Sequence, residues 1–349
     1  MKKALYLSLL FIFILSGTVL ASDISLQNLS VPTLMYHKIS DDPKDWNEYC
    51  ISSHQLRSDF EEFKQAGFTP IGISDYLALS NAYKEASMAP DDANKTSTFN
   101  TLFEKYPNPL LITIDDGYDD GYTIIFPLLR EYNFKANFAL VGCYTKAEEP
   151  SSYLIHSEIR EMSESGYAEF GNHTNLLHEK SFDDLKNIYN NSENYNLIKE
   201  DYSANGLLLT EILGKPPTYF SYPYGISSNI TENILNELNI TVSLVTNTSP
   251  DFVKLSDSPR YISRYNRIPN ITSKELVKII IEKIQSQNPK VYAKSNLALK
   301  DYYTANYTSA TLSELINTNK IPTNKFLNPT TNLQNTVTPL FPYNNRLYY

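Results

Sequence analysis

Apolar and polar positions follow two periods along the chain. Short apolar runs, rich in β-branched and aromatic residues, fall at Val31–Tyr36, Phe68–Ile73, Leu110–Ile114, Lys135–Val141, Ala168–Asn172, Thr218–Tyr222 and Thr241–Val245. Their length and composition predict strands. Between them lie stretches whose apolar residues recur every three or four positions. These predict helices at Ser53–Ala66, Ser74–Asn81, Tyr122–Tyr132, His156–Ser165, Asn229–Leu238 and Ser273–Gln285, with Phe182–Leu213 mostly helical. Strands that alternate with helices build a parallel sheet. Seven such runs predict an α/β fold, a closed or nearly closed, distorted (β/α) barrel rather than an open doubly wound sheet. No G-x-G-x-x-G or P-loop opens any of the helices, which argues against nucleotide binding.

Three segments depart from this pattern. Met1-Lys2-Lys3 is followed by the apolar run Ala4 to Ser16, and Val19-Leu20-Ala21 offers small residues before Ser22. This reads as a signal peptide over 1–21, because the run is shorter than the ~20 apolar residues of a bilayer span. An uncleaved anchor is the competing reading. A lipoprotein anchor is not expected, since no Cys follows the run. Within the main domain, 22–290, the stretch Ala82 to Pro109 reads as a polar insertion outside the core. From 291 to 349 the periodicity stops and Asn and Thr accumulate, so a poorly ordered or loosely packed tail is expected there.

Composition narrows the function. The 349 residues, 42% hydrophobic, suffice for a full core. Lys+Arg 30 against Asp+Glu 39 gives a net charge of −9, with no basic run. Nucleic acid and anionic membrane are therefore poor partners. Two cysteines exclude a disulfide-dense scaffold and a Cys-rich zinc module. Export would place Cys50 and Cys143 where they could pair. The 27 tyrosines, with an apolar ring face and a polar tip, suit a carbohydrate or partner surface.

In a parallel barrel the chemistry sits where strands end. Leu110–Ile114 runs into Asp115-Asp116-Gly117, a carboxylate pair that is costly to bury without a metal or a proton. Ala168–Asn172 runs into His173, with His178 five residues on. The first strand ends at His37, and Thr218–Tyr222 ends in Pro223-Tyr224-Gly225. Three of the five histidines thus fall at or just after strand ends. Asp with two His and open positions is a ligand set for a catalytic divalent metal. The second copy, Asp119-Asp120-Gly121, opens a helix and reads as structural.

Thr113-Ile114-Asp115-Asp116-Gly117 resembles the T-F-D-D-G signature of polysaccharide deacetylases with the NodB homology fold, with Ile in place of Phe. His173-Thr174 with His178 resembles their H-[ST]-x-x-H motif with one extra residue. That extra residue is similar to the branch that deacetylates poly-β-1,6-N-acetylglucosamine. Phe220-Ser221-Tyr222-Pro223-Tyr224-Gly225 and Val31-Pro32-Thr33-Leu34-Met35-Tyr36-His37 are similar to other segments of that branch. The D-x-x-D-W motif and the R-x-P arginine of the common branch are missing, and Arg264 or Arg267 is the candidate for the arginine's role.

The resemblance implies a secreted or cell-envelope hydrolase that removes N-acetyl groups from an amino-sugar polysaccharide and is expected to be monomeric. It implies one divalent metal on Asp116, His173 and His178, zinc first, with nickel, cobalt or iron as alternatives. It implies Asp115 as general base, the Tyr224 backbone N–H as oxyanion donor and His37 as general acid, although His37 and His178 could exchange roles. O-acetyl ester hydrolysis and non-catalytic carbohydrate binding are the alternatives. If His37 is the acid, the first strand must complete the ring and bring it beside the other four side chains.

Overall fold

The computed structural model describes residues 26, 28–149, 151–246, 251–289 and 297–307. The expected signal peptide and most of the expected tail lie outside them. The strands are β1 (Ser30–Val31), β2 (Thr33–Tyr36), β3 (Lys38–Ile39), β4 (Cys50–Ile51), β5 (Thr69–Ile71), β6 (Pro109–Asp116), β7 (Ala136–Leu140), β8 (Ala168–Asn172), β9 (Tyr219–Ser221), β10 (Val242–Thr246), β11 (Val253–Lys254) and β12 (Ile262–Asn266). The helices are α1 (Ser53–Ala66), α2 (Ile73–Met88), α3 (Ala93–Lys105), α4 (Phe126–Tyr132), α5 (His156–Glu164), α6 (Phe182–Asn190), α7 (Tyr195–Leu213), α8 (Asn229–Glu237), α9 (Ser273–Gln287) and α10 (Leu297–Asn306).

β6 shows why the ring forms. Its Leu110, Ile112 and Ile114 pack into one cluster with Phe60 and Phe63 of α1 and Leu276 and Ile280 of α9. The alternate residue Leu111 clusters with Ala139, Tyr219 and Ile262 from other strands. A strand apolar on both faces needs a layer on each, here helices outside and other strands inside. The ring runs β2-β12-β10-β9-β8-β7-β6 and closes because β2 also pairs with β6, Leu34 opposite Ile112 and Tyr36 opposite Ile114. Every one of these pairings is parallel. The first strand therefore completes the ring, as a site containing His37 requires.

The expected seven strands are present in number, but one member differs. Phe68–Ile73 shrinks to the three residues of β5, paired only with the start of β6 and so outside the closed ring. The seventh ring strand is β12, which the apolar pattern did not reveal.

Two expected irregular stretches are helical. In the segment read as a polar insertion, α2 continues to Met88 and α3 follows. Ala82, Ala86, Phe99 and Tyr106 are buried there, and Tyr83 packs edge-on to Phe99 at 5.6 Å. Its few apolar residues are spaced to meet each other. In the segment read as tail, α10 buries Leu299, Tyr302 and Tyr303 in the main core, and the Tyr302 hydroxyl donates to Glu62 of α1. Among the described residues no helix is long and apolar enough to cross a membrane. Cys50 and Cys143 are both free thiols.

Candidate metal centre and active site

The C-terminal end of β6 is shaped to present two carboxylates differently. Asp115 continues the strand opposite Ala139, while Asp116 turns into the left-handed region at φ 75 and Gly117 follows at φ 80. A Cβ on Gly117 would stand 2.7 Å from the Leu140 side chain, so glycine lets the chain turn there. A non-glycine residue at positive φ is held by its surroundings.

Asp116 faces both motif histidines. His178 Nε2 lies 3.2 Å and His173 Nε2 3.5 Å from Asp116 Oδ1. One ligand atom from each of the three lies within 4.8 Å of the others. Asp116 Oδ1 is buried and makes no conventional hydrogen bond. The His173 Nδ1 is 2.7 Å from the Ser221 carbonyl oxygen. A carbonyl only accepts, so Nδ1 carries a proton and Nε2 is the ring nitrogen left to face Asp116 and any bound metal. An orphaned carboxylate oxygen facing a correctly tautomerised imidazole and a second ring nitrogen fits a divalent cation. Burial disfavours the charged form of Asp116, but its contacts with His173 and His178 hold its carboxyl well below the usual carboxylate range. Burial likewise disfavours the His178 cation, yet Asp116 raises the His178 pKa above the ordinary value.

Asp115 is tied elsewhere. Its Oδ1 accepts from Arg264 Nη1 at 2.7 Å and its Oδ2 from the Ser221 hydroxyl at 3.2 Å. Burial pushes its pKa up, and Arg264 and then His173 more than reverse that, leaving it below the ordinary carboxylate value. Of the two candidate arginines, Arg264 from β12 reaches the carboxylate. Arg267 turns outward instead and forms a buried double contact with Asp59 of α1, at 2.7 and 3.0 Å, which Tyr36 completes with its hydroxyl.

His37, partly buried between β2 and β3, senses the same cleft. Burial lowers its pKa, while the charges of Asp116 and Asp115 pull it back up. Its ring packs edge-on to Tyr49 at 4.8 Å. Tyr224 lies in the turn after β9 at φ 54, and its ring stacks on His178 with centroids 6.2 Å apart. All six predicted side chains thus gather at one end of the ring.

Sequence reasoning missed several neighbours. Ser221 serves both Asp115 and His173. Tyr144 packs edge-on to His178 at 5.8 Å and stacks on Tyr153 at 4.5 Å, which stacks on Tyr118 at 5.1 Å. The abundance of tyrosine was the available signal, but nothing in its spacing marked these three. Between the two histidines, Leu177 is buried with Leu185 and Tyr202, whereas Leu176 is 58% exposed.

Residues 104–243 match the family described as polysaccharide deacetylase. This segment belongs to the polysaccharide deacetylase family. It contains Asp115, Asp116, His173, His178 and Tyr224, whereas His37 and Arg264 come from outside it. The chain is 24% identical over 153 residues to the poly-beta-1,6-N-acetyl-D-glucosamine N-deacetylase of Escherichia coli (strain K12), covering 40% of this chain and 20% of that protein. It is 32% identical over 136 residues to the YxkH protein of Bacillus subtilis (strain 168), covering 39% of each. The chain thus matches well under half the length of either relative. Among solved structures, the fold is shared with the Streptococcus pyogenes deacetylase PplD, determined in complex with acetate. That likeness has a TM-score of 0.55 and 19% identity, covering 72% of this chain and 98% of that one. IcaB from Ammonifex degensii is similar at a TM-score of 0.55 and 21% identity, covering 72% and 96%. These two structures share the barrel fold.

Proposed function

We propose that the protein is an exported, metal-dependent deacetylase that hydrolyses N-acetyl groups of an extracellular amino-sugar polysaccharide. The observation that carries this reading is the division of labour between adjacent carboxylates. Asp116 faces two imidazoles with an unpaired oxygen, while Asp115 is held by Arg264 and Ser221. The name of the Escherichia coli relative favours poly-β-1,6-N-acetylglucosamine as substrate; peptidoglycan and chitin are the other candidate polymers.

Asp116, His173 and His178 would hold the cation, and their oxygen and nitrogen donors suit zinc, with nickel, cobalt and iron as further candidates. A bound divalent cation supplies Lewis acidity and a water acidic enough to be a nucleophile near neutral pH. Asp115, kept anionic by Arg264, would accept the proton of the attacking water. The acetyl carbon gains a C–O bond and its oxygen becomes negative. The backbone N–H of Tyr224 is assigned to that oxygen. The C–N bond then breaks, and His37 donates a proton to the departing amine. Burial favours neutral His37, so it must gain a proton before this step. The products are acetate and a free amino sugar.

The reading is tested by incubating the zinc-loaded protein with N-acetylated oligomers of β-1,6-glucosamine, peptidoglycan and chitin, and with O-acetylated xylan. Acetate release from one of the N-acetyl polymers, matched by new free amines, supports it. Release from the ester substrate alone would make the protein an O-acetyl esterase, and binding without release a carbohydrate-binding relative.

A further inference from the structure

His173 and His178 are separated by a four-residue loop, yet both rings must meet the same oxygen of Asp116. Something must fix that loop. Three of its successive backbone N–H groups converge on one side chain. Asn175 N donates to Asp201 Oδ1 at 2.9 Å, and Leu176 N and Leu177 N donate to Asp201 Oδ2 at 2.6 and 3.0 Å. Asp201 lies on α7, is only 8% exposed, and has no cationic partner among the described contacts. Converging amides form a concavity that suits an anion, and charge-assisted bonds of this kind are stronger than neutral ones.

One turn along α7, Asn205 fastens the start of the same loop. Its Nδ2 lies 2.7 Å from the Leu140 oxygen, 3.0 Å from Asn172 Oδ1 and 2.9 Å from the Thr174 oxygen. Asn172 Oδ1 also accepts from Thr174 N, where the backbone is left-handed at φ 69. The loop is thus pinned at its first turn by Asn205 and along its middle by Asp201. His178 follows Leu177 directly, and its own Nδ1 is buried with no hydrogen bond. Its ring therefore takes its position from the backbone and from packing against Tyr144 and Tyr224.

We infer that Asp201 is a positioning residue for His178: its carboxylate organises the 175–177 backbone so that His178 meets Asp116 and His173 in a geometry ready for a metal. This rests on the metal-site reading above, and the test separates the two. Without the acceptor, three inward amides have no partner and the loop must open toward water.

The test uses the full chain and measures cobalt(II) affinity by its visible absorption, with zinc affinity by competition. Asp201→Asn replaces an acceptor oxygen with a donor facing other donors. It should weaken metal binding by about 10–100-fold, the usual effect of removing such an outer partner, and alter the cobalt spectrum. The circular dichroism should stay that of the parent. Asp201→Glu, which keeps the charge, should recover part of the affinity. Glu200→Gln removes the same charge from the neighbouring exposed position and should change nothing. In a His178→Ala background, Asp201→Asn should have little further effect, because the ligand it positions is gone.

Wild-type affinity and spectrum in folded Asp201→Asn would overturn the inference. So would an equal loss in the presence and absence of His178. If neither Asp201 variant folds, the carboxylate is a requirement of the barrel rather than of the site, and the inference also fails. If the parent chain binds neither metal, it is the metal-site reading that fails. Because every readout is binding, the inference can stand even if the parent releases no acetate.

Discussion

Arg264 Nη1 donates to Asp115 Oδ1 across 2.7 Å, with side chains only 1% and 2% exposed. Arg264 comes from the last strand of the ring and Asp115 from β6, so the closure of the barrel is what joins them. Removing one partner of such a pair leaves an uncompensated buried charge and costs about 3–5 kcal/mol. Arg264→Met should lower stability by about that amount in denaturant unfolding. Arg264→Lys keeps the charge but loses the guanidinium's planar fork. Its turnover should fall at least about tenfold with metal content unchanged; an unaltered rate would remove Arg264 from the account.

The neighbouring carboxylates are expected to fail differently. Asp116→Asn should lose bound metal and activity together. Asp115→Asn should retain metal and lose about 10²–10⁴ in turnover, the range for a positioned proton acceptor. Metal analysis beside initial rates checks this. Equal metal loss in both variants would mean that base and ligand have been interchanged.

His37→Gln should reduce turnover by a similar factor of about 10²–10⁴ while leaving metal content intact. A substrate whose leaving group needs no proton, such as an activated aryl acetate, should lose much less. Equal loss on both substrates would contradict the assignment of His37 as acid.

Asp120 gives a prediction about pH and stability. Its Oδ2 accepts from Ile39 N at 3.0 Å, and burial raises its pKa to about 7. The folded state therefore holds this proton more tightly than the unfolded chain does. Its contribution to stability is fully present below the ordinary carboxylate range near pH 4. It is lost as pH rises to about 7, at up to about 1.4 kcal/mol per pH unit. Asp120→Asn mimics the protonated form and should flatten the stability profile between pH 5 and 7, read by denaturant unfolding. A profile parallel to the parent's would show that the carboxyl titrates normally.

What the sequence made legible was whatever sits at a strand end beside an apolar run. Asp115, Asp116, His173 and His178 were visible on that rule, and so was the barrel. β12 was not, because Arg264 interrupts its apolar residues and a buried arginine cannot be told from a surface one without its partner, 149 positions away. The same limit left Arg264 and Arg267 undivided until the structure gave one to Asp115 and the other to Asp59. Asp201 was hidden within Lys199-Glu200-Asp201, an ordinary charged stretch of helix, since its partners are backbone amides that no sequence pattern displays. α10 was obscured because Leu299, Tyr302 and Tyr303 stand among polar residues, although their spacing is helical.

The central claim is that Asp116, His173 and His178 hold a metal on which N-deacetylation depends. The most direct measurement is acetate released from a β-1,6-linked N-acetylglucosamine oligomer before chelation, after chelation and after zinc is restored, in parent and His178→Ala chains. The account predicts release by the parent, loss on chelation and recovery with zinc, with the His178→Ala chain inactive throughout. Release that survives chelation, or persists in the His178→Ala chain, would contradict it.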